Sequence, residues 1–189
     1  VASVTNRRPA TGGSDPESVE SAKLRGPQAL RTRNRAVTAE DFEYLAREAS
    51  PSVGRARCVQ PGEVGQEGTP QPGVVQVLLV PAMATPKQLL TPQELTLSRE
   101  LREQVKQYLD DRRVLTSVLV VTEPEYLWVS VEARVKIRRG ADPQAMALAV
   151  EQRLYQFIHP LYGGPEGTGW PFGRDLVASE LYAQIQAVP

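Results

Sequence analysis

Histidine and cysteine are nearly absent: the chain of 189 residues holds one of each, His159 and Cys58. A single thiol excludes an internal disulfide, and one thiol with one histidine leaves too few ligands for a zinc site. A Ser-His-Asp apparatus needs an oriented base beside its nucleophile, yet no serine stands in a G-x-S-x-G turn. His159 lies between Ile158 and Pro160 at the close of a helical pattern, where capping the helix is the simpler role. Nothing in the local sequence activates Cys58 as a nucleophile. Net charge is missing too, since 22 basic and 22 acidic residues cancel. That argues against a nucleic-acid binder working by general phosphate neutralisation, while leaving a local patch open. No apolar run approaches a membrane span, and no signal peptide is visible.

What is there reads as a globular chain of one domain or one and a half, with 41% hydrophobic and 23% charged residues. Arginine outnumbers lysine, which suits interface ion pairs. The chain opens at Val1 without an initiator methionine and ends at Pro189 directly after a helical pattern, so a piece of a longer protein is expected.

The strongest pattern is Y-L-W-V-S-V-E-A-R-V-K-I-R, residues 126–138. Leu127, Val129, Val131, Ala133, Val135 and Ile137 alternate with Ser130, Glu132, Arg134, Lys136 and Arg138. Period two predicts a half-buried strand whose apolar face packs on helices built around Leu101 and Leu154.

Residues 1–26 are rich in turn formers and poor in apolar side chains, which predicts an extended arm or linker. Residues 27–37 carry Arg31, Arg33 and Arg35 on alternate positions; they read as a solvated connector, or as donors to a partner's carboxylates. Thr38 caps a helix by accepting from the Asp41 amide, and Phe42, Leu45, Ala46 and Ala49 form its apolar stripe as far as Ser50-Pro51. Strands follow at 53–60 and 74–80, joined as a hairpin across a Pro/Gly-rich loop at 61–73. Thr91-Pro92-Gln93-Glu94 is a capping box, opening a helix to about Asp110 with Leu97, Leu101, Val105 and Tyr108 on one face. A strand at 116–122 turns at Glu123-Pro124 into the alternating segment. Asp142-Pro143 starts a helix with Ala147, Val150, Leu154 and Phe157 as its stripe, and another helix runs from about 175 to 187. The order predicts an α+β two-layer sandwich: a mainly antiparallel sheet, helices on one face, and ferredoxin-like ββα units behind the extended arm. The expected divisions are the arm at 1–26, an α+β body at 27–160, and a loop with a final helix at 161–189.

Residues 161–174, L-Y-G-G-P-E-G-T-G-W-P-F-G-R, hold five glycines and two prolines. A phosphate cradle would need a lysine and Ser/Thr after the final glycine, but Trp170 follows Gly169 and prolines remove two donors. A stiff structural loop is the stronger reading, with Trp170 and Phe172 anchoring Gly163, Gly164, Gly167, Gly169 and Gly173 to the body. Asp110-Asp111 beside Arg112-Arg113 suggests ion pairing at a helix end. Glu123 and Glu125 show no sign of an acid/base pocket. No catalytic centre, metal site or cofactor site emerges.

Three stretches carry a resemblance: L-R-T-R-N-R-A-V-T-A-E-D-F-E-Y-L-A-R-E-A from Leu30, Y-L-D-D-R-R-V-L-T-S from Tyr108, and P-L-Y-G-G-P-E-G-T-G-W-P-F-G-R-D-L from Pro160. Together they resemble the baseplate J-like family, wedge components of contractile phage tails and phage-tail-like injection systems. The likeness runs from about Pro27 to the end, and G-x-G-W-P-F-G-R is its most specific part. The resemblance implies a C-terminal portion of a longer wedge protein, one of a ring around a hub and spike whose movement helps trigger sheath contraction. It implies assembly in the bacterial cytoplasm into a particle, with other wedge subunits, hub/spike and sheath-initiator proteins as partners and self-association open. It assigns no catalytic residues. The leading function is therefore a non-enzymatic baseplate subunit linking hub and sheath. A ligand- or glycan-binding module of a phage particle is the alternative, and a cell-wall hydrolase stands third.

Overall fold

The computed structural model describes residues 18–59, 73–83 and 90–188. The chain divides into two units, Val1–Arg33 and Asn34–Pro189.

In the first unit the described residues form one helix, α1 (Val19–Thr32), with Pro27 inside it. An extended arm to residue 26 and a connector beyond it are thus replaced by helix from Val19 onward; residues 1–17 lie outside the described residues. Gly26-Pro27 looks like a break in sequence, but proline withdraws only its own amide from the ladder and crowds one turn. Good helix formers flank it: Ala22 and Lys23 before, Gln28, Ala29, Leu30 and Arg31 after. The helix ends where Arg33 turns left-handed at φ 47°, its amide donating to the Ala29 carbonyl at 3.2 Å.

The second unit runs α2 (Ala39–Ala49), β1 (Val53–Val59), β2 (Val74–Pro81), α3 (Pro92–Leu95), α4 (Arg99–Asp110), β3 (Val118–Thr122), α5 (Pro143–Ile158) and α6 (Ala178–Gln186). Thr38 opens α2 as its sequence predicts. Its hydroxyl accepts from the Asp41 amide at 3.3 Å, and the Asp41 carboxylate accepts from the Thr38 amide at 2.8 Å. Strands β1 and β2 pair antiparallel, with a register shift between Val53 and Arg55, and β3 adds parallel to β2, giving the order β1-β2-β3. The parallel step follows from the connection, since α3 and α4 carry the chain across between β2 and β3.

Helices α2 and α4 pack on each other and on the sheet, completing the expected α+β layering. Leu45 from α2, Val77 and Leu79 from β2, and Val105 and Leu109 from α4 are fully buried. Each such side chain contributes about 1.5–3 kcal/mol of transfer free energy. A smaller cluster of Val80, Leu95 and Leu161 takes Tyr126 and Phe172 against it.

Two expectations are corrected in this unit. The helix foreseen from the capping box to Asp110 is broken at residues 96–98. Ser98 caps a new helix by accepting from the Leu101 amide, and the Leu97 amide leaves the helical ladder to donate to Glu123 Oε2 at 2.9 Å. The segment 126–138 is not a strand of the sheet. It runs without turn or bend to Arg138, and among the described residues no hydrogen bond reaches residues 127–137. Leu127 is 89% exposed, and Val129, Val131, Val135 and Ile137 are 39–44% exposed, so the second ββα unit is not formed. Period two specifies an extended chain with one apolar face; it does not supply the neighbouring strand that a ladder needs.

Candidate functional site: an arginine-clamped glycine loop

The loop at 161–174 begins where α5 stops. His159 is the C-cap residue of α5, and Pro160 cannot continue the helix. The imidazole reaches forward into the loop. Its Nδ1 accepts from the Leu161 and Tyr162 amides at 3.1 and 3.2 Å, and its ring stacks on Tyr162 with centroids 5.0 Å apart. His159 is buried, so this one base is committed to shaping the turn that follows the helix.

The glycine amides turn inward. Gly163 donates to the His159 carbonyl at 2.9 Å, Gly164 to Phe157 at 2.6 Å, Gly167 to Gly164 at 3.3 Å and Gly169 to Gly163 at 2.8 Å. The Trp170 amide returns to the His159 carbonyl at 3.1 Å. A phosphate cradle needs such amides aimed outward at a ligand. Here they close the loop on itself and on the end of α5.

Three of these glycines leave no room for a side chain, Gly164 because a Cβ there would meet the Gly169 carbonyl at 2.8 Å. A Cβ at Gly163 would collide with the Phe157 and Gln156 carbonyls and the His159 amide nitrogen. One at Gly169, where φ is +99°, would collide with the Pro160 carbonyl and the Arg55 guanidinium. By contrast Gly167 and Gly173 have open space and need glycine only for their positive φ, +70° and +69°.

Arg55 is the residue that sequence reasoning missed. It projects from β1, just past the bulge at Gly54, and its Nη1 donates to the Pro160 carbonyl at 2.5 Å and the Trp170 carbonyl at 2.8 Å. The guanidinium carbon also lies 4.7 Å from the centre of the Phe172 ring. One cation therefore ties both ends of the glycine segment to the sheet. Burial holds the Arg55 pKa below its ordinary value, against the opposing pull of Glu43 and Tyr126. The buried Tyr126 hydroxyl has no hydrogen-bond partner among the described residues; burial, reinforced by Glu123 and opposed by Arg55, pushes its pKa up to about 12. In sequence Arg55 is one of two arginines, with Arg57, inside a strand of otherwise small and apolar residues, and nothing local sets it apart.

Trp170 is half-buried. Its ring meets Phe157 edge-on at 5.4 Å, and its Nε1 donates to the Arg174 carbonyl at 3.0 Å. Phe172 is half-buried against Val80, Leu95 and Leu161. Arg174 lies over Trp170 at 5.4 Å and pairs with Glu180 of α6. The structure thus brings Trp170, Phe172, Gly163, Gly164 and Gly169 into one contact set, while Gly167 and Gly173 sit on its exposed rim. Arg31 lies in the last turn of α1, Arg33 at its left-handed end and Arg35 just before the bridge from Ala36 to Arg113; all three side chains are exposed. At the end of α4, Arg113 pairs with Asp110 at 2.6 Å, whereas Arg112 stacks on Tyr108 and donates to Asn34 at 2.7 Å. The arrangement is a mechanical joint between a helix end and a sheet, with its polar groups turned toward one another.

No protein-family model matches the chain, and no curated protein matches it in sequence. Among solved structures it is similar to a protein chain in the cryo-EM structure of the anti-feeding prophage (AFP) baseplate, 6-fold symmetrised. The two are 20% identical with a TM-score of 0.66, over 95% of this chain and 36% of that one. The likeness establishes a shared fold, in which this chain spans about a third of the other protein's length. No described helix is long and apolar enough to cross a membrane.

Proposed function

We propose that this chain is a structural, non-enzymatic component of the baseplate of a contractile injection particle, a wedge subunit that links hub and sheath through protein contacts. The observation that carries the reading is the fold shared with an AFP baseplate chain over 95% of this chain's length. The baseplate J-like resemblance of the three sequence stretches supports it independently. So does the chemistry of the most distinctive loop, whose amides, arginine and histidine act on one another. Its partners are then other baseplate proteins, met during assembly of the particle in the bacterial cytoplasm. A glycan-binding module would need an aromatic platform, and the groove beside α5 and α6 has a single aromatic lining residue, Tyr182. Imaging particles by electron microscopy with this chain tagged tests the proposal. Density for the tag in a ring between spike and sheath is expected. Tag density confined to fibres or absent from particles would overturn it.

A further inference from the structure

Residues 126–138 leave an unusual surface. An extended chain of this length, about 40 Å at strand rise, has no hydrogen-bond partner along residues 127–137 among the described residues. Between residues 131–138 on one side and α5 and α6 on the other lies a groove of about 1060 Å³, lined by Met146, Val150, Leu181 and Ile185 among others. Helix α6 has no buried residue, and α5 has only Val150. Segment, groove and helices thus form an apolar surface along an extended chain that has no neighbouring strand among the described residues.

The order of charges says which strand fits. An antiparallel pair of two identical segments about a two-fold at Ala133 sets Glu132 opposite Arg134 twice, Ser130 opposite Lys136, and Trp128 opposite Arg138. On the other face Val131 meets Val135 and Val129 meets Ile137. No like charges stand directly opposed. Moving the two-fold by one residue sets Glu132 against Glu132, or Arg134 against Arg134, which is unfavourable. We infer that residues 126–138 form an antiparallel β-ladder with the same segment of a second copy of this chain, in the register centred on Ala133. Pairing would satisfy the amides and carbonyls on the facing edge of each copy and continue the apolar row beside α5 and α6 across the two-fold. The inference stands on this segment alone, whether or not the chain serves in a baseplate.

The chain's only cysteine, Cys58, is buried, so introduced thiols report cleanly. With Ala133→Cys, mild oxidation is expected to give a disulfide-linked dimer. Val129→Cys alone should give little, but mixed with Ile137→Cys it should cross-link as a heterodimer. Sedimentation of the unmodified chain should show a dimer that dissociates on dilution. Arg134→Glu should weaken it about tenfold by opposing like charges at two pairs. Adding Glu132→Arg to that variant should restore it, while all variants keep the parent's circular dichroism. A monomer at every concentration would overturn the inference. So would a dimer whose cross-links ignore the register, or one that the single and double charge variants leave equally tight.

Discussion

Arg55 holds the glycine loop by three contacts that no other cationic side chain reproduces together. A planar guanidinium can donate to two carbonyls while resting on an aromatic ring, whereas an ammonium offers only a point charge. Arg55→Ala should therefore lower stability by about 2–3 kcal/mol, and Arg55→Lys should recover little of it; denaturant unfolding measures both. The glycines grade in the same way. Gly163→Ala and Gly169→Ala drive a methyl into backbone atoms and should unfold the loop or the unit, while Gly167→Ala, with open space, should cost only about 1 kcal/mol for its left-handed φ. Tyr126 makes a pH prediction. Its phenol titrates at about 12 in the folded chain against 10.0 in the unfolded one. Its contribution is full below pH 10, and as pH rises from 10 to 12 the unfolded state alone releases the proton, so stability falls through that window. A late phase in the spectroscopic tyrosinate titration, removed by Tyr126→Phe, checks the assignment. Glycine content made the rigidity of this loop legible in sequence. Arg55 was not, because a residue more than 100 positions away shows its role only when β1 and the end of α5 meet.

At the scale of elements, signals local to one turn were legible and those that depend on a partner were not. The Thr38 cap and the proline stops at Pro51 and Pro160 were readable because each needs only neighbours within a few residues. The break at residues 96–98 was not, since it depends on Glu123 reaching the Leu97 amide from another element. The alternating segment is the sharpest case. Its period set the conformation, yet pairing and burial belong to whatever lies alongside. The sequence reading expects Val131→Asp to be severely destabilising, as a charge forced into a core. With Val131 41% exposed, the carboxylate stays hydrated, and the unpaired chain should lose less than about 1 kcal/mol. Melting at low concentration, below dimer formation, distinguishes the two outcomes.

For the whole molecule, the question is which surfaces carry assembly. The sheet with α2 and α4 buries its own apolar residues, so association falls to what that body leaves outside. Arg31, Arg33 and Arg35 are exposed and crowd three guanidinium groups into five residues of chain. Exposed charges of this kind contribute little to folding, but across an interface they set complementarity with a partner's carboxylates. Replacing all three with Glu should leave the melting temperature of the isolated chain within a degree or two, since surface substitutions typically change stability by less than about 0.5 kcal/mol. If these arginines meet acidic neighbours in a baseplate, the same change should sharply reduce the number of sheathed particles counted by electron microscopy. Replacement by lysine keeps the charge and loses the planar fork, so an intermediate yield would assign part of the effect to bidentate pairing. Full yields from the glutamate variant would make this stretch a passive connector, and would shift the burden of assembly to other exposed surfaces, the unpaired segment at 126–138 among them.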